Sequence, residues 1–185
     1  MKESMAVTDT AVATLERGRS VDEGPMSIMG TVLAELHDED GNLLWSEEVH
    51  NLVTAVGDQR YAAAGSGVSG TSVPLGMKLG TGSTAVAKTG SGAALVTYLT
   101  NSHQAFDGGF PTAVAGVVTY KVTYAAGKAT SASTAITEVV IYTDATADAT
   151  SSAANTISRA LLTGIPSKQS TDTLTITWTH TLLGS

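Results

Sequence analysis

The residues of this 185-residue chain that could do chemistry are four histidines, two acidic clusters and one glycine-rich loop. His37, His50, His103 and His180 form no HxH or HExxH pair, so a metal site would have to be assembled in space. His37 and His50 flank a predicted hairpin and could approach each other across it, where a cross-strand polar role is the expectation. His180 falls on the apolar face of a strand near its end, the place of a hydrogen-bonded histidine at a sheet edge. Glu47 and Glu48 are adjacent, so in a strand their carboxylates point to opposite faces and cannot act as an acid/base pair. Asp38, Glu39 and Asp40 resemble part of a calcium loop. The bidentate Glu such a loop needs does not follow at the right distance, which leaves a polar turn.

Gly82, Lys88 and Thr89 match a phosphate-binding loop in spacing, with Ala87 where its second glycine should stand. That glycine lets backbone wrap a phosphate, and a helix should begin at the lysine. Gly90 and Gly92 interrupt any such helix, so a Gly/Thr turn is expected. The stretch Gly65-Ser66-Gly67-Val68-Ser69-Gly70 is a small-residue loop, not a nucleophile elbow between strand and helix. No catalytic, cofactor-binding or metal-ligating residue is assigned, and no enzyme is expected.

The elements around these residues are strands. In Asp172–Leu183, Leu174, Ile176, Trp178, His180 and Leu182 share one face, and five threonines from Thr173 to Thr181 share the other. Thr is β-branched and favours a pleated surface, and the apolar face needs a second sheet to cover it. Ser27–Leu36 and Leu43–Val49 read as strands joined by a turn at Asp38–Asn42, with Gly41 supplying positive φ. Asn51 is placed to cap a short helix from Leu52 to about Ala64. Further strands are read at Leu75–Leu79, Val114–Ala125, Ala135–Tyr142 and Thr156–Leu162. Ala93–Leu99 fits a strand or a short helix. The consecutive Val139, Val140 and Ile141 suit a strand buried on both faces. About eight strands with one short helix predict an all-β, jelly-roll-like β-sandwich over residues 27–185.

Residues 1–26 lack apolar periodicity and read as an extended N-terminal arm or tail. Extended at ~3.3 Å per residue, such an arm could reach about 80 Å. Val7, Val12, Leu15, Arg17 and Arg19 are its candidate partner-binding residues. The net charge of −7 is concentrated early: residues 1–50 hold eleven acidic and three basic side chains, residues 51–185 six and seven. An acidic surface repels phosphate backbones, so no nucleic-acid partner is expected. No run of about 18 apolar residues predicts a membrane span, and no apolar signal core follows Met1. The absence of Cys excludes disulfides.

The order of several short motifs adds to this reading. They are His50-Asn51-Leu52-Val53-Thr54, Gln59-Arg60-Tyr61-Ala62, Leu79-Gly80-Thr81-Gly82, Ile136-Thr137-Glu138-Val139, Ser158-Arg159-Ala160-Leu161 and Thr173 to Trp178. In this order, across roughly residues 27–183, they resemble small β-sandwich virion proteins of tailed bacteriophages. The resemblance implies a capsid decoration (cement) protein on the capsid exterior, with the major capsid protein as partner and a homo-oligomer, a trimer being natural. It equally fits a tail, head–tail connector or fibre component. A carbohydrate- or receptor-binding sandwich is the third reading.

Overall fold

The computed structural model describes residues 28–69, 72–131 and 133–182. Two antiparallel five-stranded sheets form a sandwich. The strands are β1 Met29–His37, β2 Leu43–His50, β3 Leu52–Val53, β4 Gly76–Gly80, β5 Gln104–Ala105, β6 Thr112–Val114, β7 Val117–Tyr124, β8 Ile136–Tyr142, β9 Thr156–Ile165 and β10 Thr173–Thr181. One helix, α1 Ala55–Ser66, follows β3. Sheet A runs β2-β1-β10-β7-β6 and sheet B runs β3-β9-β8-β4-β5. The arm residues Val7, Val12, Leu15, Arg17 and Arg19 lie outside the described residues.

Sheet A follows the period-two pattern of its sequence. In β10, Leu174, Ile176, Trp178 and His180 are buried and the alternating threonines are partly exposed. Val32, Ala34 and Leu36 of β1 and Tyr120, Val122 and Tyr124 of β7 join them in the core. Sheet B is covered on both sides. Val139, Ile141 and Ala160 face the core, so their neighbours Glu138, Val140 and Arg159 point to the outer face. Segment 81–97 lies over that face, with Ala93 and Leu95 buried. This explains why β8 reads as a continuous apolar run.

The all-β sandwich with one helix agrees with the sequence reading. The jelly-roll connections receive no support, because the sequence neighbours β1–β2, β6–β7 and β8–β9 pair directly as hairpins. Asn51 is not the helix cap. Leu52 and Val53 pair with Arg159 and Ser158, which moves the helix start to Thr54. The Thr54 Oγ1 accepts from the Gly57 N–H at 3.2 Å. Val114 ends β6, and a two-residue turn at Ala115 and Gly116 separates it from β7. Ala93–Leu99 holds neither a strand nor an α-helix; its first residue ends a 3-10 turn, Gly90–Ala93.

Candidate functional site

His180 sits in the central strand of sheet A and not at an edge, because β10 is flanked by β1 and β7. It is fully buried, and burial pushes its pKa down to about 4, so the ring is neutral at pH 7. Two groups hold it. Asn51 Nδ2 lies 3.1 Å from Nε2, and the Tyr61 hydroxyl lies 2.5 Å from Nδ1. With Asn51 donating to Nε2, the Nδ1–H donates to Tyr61, which in turn donates to the Tyr120 hydroxyl at 3.0 Å. Asn51 Nδ2 also donates to Ser158 Oγ, and Ser158 donates to the Leu52 carbonyl at 2.9 Å. Burial raises the pKa of both tyrosines. This chain of bonds ties α1 and both sheets together at one end of the sandwich.

Glycine at position 30 permits the arrangement. A side chain there would run into the Asn51 amide and the His180 ring. The Asn51 Oδ1 is buried without a partner. Beside the knot lies a groove of about 740 Å³, lined by Ile28, Leu52, Val53, Tyr61, Ala62 and Leu182 among others. The lining is largely apolar, with the exposed Asp58–Lys88 ion pair (2.7 Å) at its margin.

A second constellation lies on the outer face of sheet B. Glu138 and Arg159 are fully buried and pair at 2.7 Å. Glu138 also accepts the backbone N–H groups of Gly82, Val96 and Thr97 at 3.0, 3.2 and 2.8 Å. Arg159 donates to the carbonyls of Thr84 and Gly92 at 2.7 and 3.3 Å. One ion pair thereby fastens segment 81–97 to the sheet through charge-assisted hydrogen bonds from both of its side chains.

The residues singled out from sequence are dispersed. Thr31 pairs with His50 and His37 with Leu43, so the two histidines lie at opposite ends of the hairpin. Six residues along a strand separate them by about 20 Å. Their approach across the hairpin does not occur. Glu47 accepts the Thr163 N–H, while Glu48 is exposed. Asp38 spends both carboxylate oxygens on the turn itself, accepting from the Asp40 and Asn42 N–H groups and the Asn42 side chain. These bonds, that of the Asn42 amide first, hold its carboxyl below the usual range. In the phosphate-loop look-alike, the Gly82 N–H faces the Glu138 carboxylate and Lys88 binds Asp58. His103 is at the surface, 3.7 Å from Asp148, which accepts from the Tyr98 hydroxyl and the Asn101 N–H at 2.6 Å each.

Among the described residues, no three His, Cys, Asp or Glu side chains converge to hold a metal. No helix among them is long and apolar enough to cross a membrane. Asn51, Tyr61, Ser158, Glu138 and Arg159 escaped the sequence reading as site residues. Only the last two carried a signal, each being a lone charge within an apolar strand.

The outer face of sheet A carries aligned rows of threonines. Register places Thr31, Thr179, Thr119 and Thr112 in one row across four strands. The Thr31 and Thr179 hydroxyls bond at 2.7 Å. The next row toward the groove end holds Met29, Thr181, Val117 and Val114. Met29 is 65% and Val114 72% exposed. No family model, curated protein or solved structure matches the chain.

Proposed function

We propose that this chain is a non-enzymatic virion structural protein of a tailed bacteriophage, a capsid decoration protein that binds the assembled head and stabilises it. The observation that carries the reading is the outer face of sheet A. It joins a threonine surface to an apolar margin at Met29, Val117 and Val114. Side chains directly across a sheet point the same way, so these rows form one continuous face. Nine-residue β10 and its four flanking strands span roughly 30 Å by 20 Å, about 600 Å². That approaches the roughly 800 Å² per partner of a standard protein interface.

The partner in this reading is the major capsid protein, with copies of the chain grouped as a homo-oligomer, a trimer at a local three-fold being natural. Binding only the assembled shell stabilises that shell by mass action, and many copies multiply the effect. Several polar side chains suited to chemistry are engaged internally: Glu138 with Arg159, His180 with Asn51 and Tyr61, Asp38 with its own turn. This commitment favours a binding role over catalysis. Residues Val7, Val12, Leu15, Arg17 and Arg19 of the arm supply further contacts in the proposal.

The test is add-back to purified heads that lack the protein. Saturable binding and a raised head-disruption temperature are expected. Met29→Arg/Val114→Arg should reduce occupancy at least about tenfold, the effect of losing ~1.4 kcal/mol per site, with unchanged melting of the free protein. Wild-type protein that does not bind heads would overturn the reading.

A further inference from the structure

We infer that the C-terminal half of α1 is an acid-released latch, held to the sandwich by the Tyr61–His180 bond more than by packing, and that protonating His180 frees it and opens the groove beside it. The helix buries only Gly57 and Ala63, and a glycine and an alanine supply little apolar area. Its first turn is fastened independently. Thr54 Oγ1 donates to the Ile157 carbonyl at 3.0 Å, the Ala55 N–H donates to the Lys88 carbonyl at 2.9 Å, and Asp58 pairs with Lys88 at 2.7 Å. Gly57 lies so close to the Ile157 carbonyl that a Cβ would not fit. Farther along the helix, Tyr61 reaches into the buried knot, its ring edge-on to His180 at 5.6 Å between centroids.

The surroundings of His180 give a protonated ring no counter-ion. Tyr61 faces it from α1, Tyr120 from β7 and Trp178 from its own strand, with the positive Arg60 acting on both tyrosines. Asn51, between β2 and β3, faces Nε2 and reaches on to Ser158 of β9, while β1 offers only Gly30. No carboxylate is among these groups. Protonation also removes the Nε2 lone pair that accepts from Asn51, so two donors then oppose each other. A buried charge without a partner is driven toward water. Tyr61 and Asn51 both line the groove of about 740 Å³, so turning Tyr61 and its half of the helix outward admits water to the ring by that route. Burial holds the His180 pKa at about 4 against an ordinary 6.5. The closed form is therefore favoured in full above pH 6.5 and loses that advantage as pH falls toward 4. With the released ring back at 6.5, opening should become roughly 50–100-fold more favourable between pH 7.5 and 4.5.

Hydrogen exchange read by mass spectrometry tests this on the intact wild-type chain at pH 7.5 and 4.5, with rates corrected for the intrinsic effect of pH. Amides of Arg60–Ser66 should lose protection by roughly 50–100-fold, while those of β8 stay far slower at both pH values. His180→Gln keeps a neutral side chain and should cut that loss to less than about fivefold. Tyr61→Phe removes the bond without adding a charge and should leave Arg60–Ser66 poorly protected already at pH 7.5. Slow exchange of β8 at pH 7.5 reports that either variant is folded, and Tyr61→Phe decides alone where His180→Gln is not. Equal protection of Arg60–Ser66 and β8 at both pH values, the mark of one global opening, overturns the inference. So does a Tyr61→Phe chain protected like wild type. An acid response that survives in His180→Gln overturns it as well, by assigning the release to the Asp58–Lys88 pair. None of these outcomes involves heads, so this inference and the proposed function fail separately.

Discussion

Replacing Glu138 with alanine removes the partner of a fully buried guanidinium and the acceptor of three backbone N–H groups at once. Breaking a buried ion pair from one side costs about 3–5 kcal/mol, because the remaining charge is stranded. A domain of ordinary stability has only about 5–15 kcal/mol in total. With a urea slope of about 2 kcal/mol/M, the unfolding midpoint should fall by about 2 M. The double variant Glu138→Met/Arg159→Met separates two accounts. An isolated buried pair replaced by apolar residues is often neutral or better. Here Gly82, Val96 and Thr97 would lose their acceptor, and Thr84 and Gly92 their donor. The bonds of Gly82 and Gly92 are buried and those of Val96, Thr97 and Thr84 partly so. At about 1 kcal/mol or more for each buried group left unmet, the double variant should stay at least about 2 kcal/mol below wild type. Urea unfolding followed by tryptophan fluorescence is the assay. A double variant as stable as wild type would refute the view that this pair fastens segment 81–97.

Further outcomes follow from the knot and the loops. His180 has a folded pKa of about 4 against 6.5, so between those values the unfolded chain binds the proton and the folded one does not. Its contribution is complete above pH 6.5 and is lost as pH falls toward 4, by up to about 3 kcal/mol. Calorimetry from pH 7.5 to 4 should show a shallower loss for His180→Gln than for wild type; parallel curves would contradict it. Gly30→Ala should destabilise by about 1–3 kcal/mol in chemical denaturation, since the added methyl displaces Asn51 and His180. Lys88→Ala breaks an exposed pair and should change stability by less than about 1 kcal/mol, and ATP should not shift the melting temperature. A clear ATP-dependent rise would contradict the reading of Gly82–Thr89 as a plain turn.

Much of the sandwich is legible because its signals are local. The alternation of β10, the Asp38–Asn42 turn and the apolar run at Val139–Ile141 each specify their own burial, and all three recur in the fold. Long-range pairing is not legible in this way. Asn51 looks like a helix cap until Leu52 and Val53 pair with a strand more than a hundred residues away. That pairing hands the cap to Thr54 and turns Asn51 toward His180. His180 reads as a sheet-edge residue because it lies near the end of its strand, yet β10 inserts between β1 and β7. The His37–His50 approach fails on register, which places the two at opposite ends of one hairpin. The Glu138–Arg159 pair left a trace, a single charge in each of two apolar strands, and strand pairing brings the two together: Glu138 lies opposite Leu161, and Val140 opposite Arg159. The groove left none, because Ile28, Tyr61 and Leu182 meet there only through the tertiary fold.

The proposed function makes the chain a stoichiometric part of a phage head. The most direct measurement of that proposal is the copy number per particle, by quantitative mass spectrometry against the major capsid protein in purified virions. Hundreds of copies are expected, in fixed ratio to the capsid protein and lost in parallel with head stability. A handful of copies would move the protein to the tail or connector, and none at all would contradict the account.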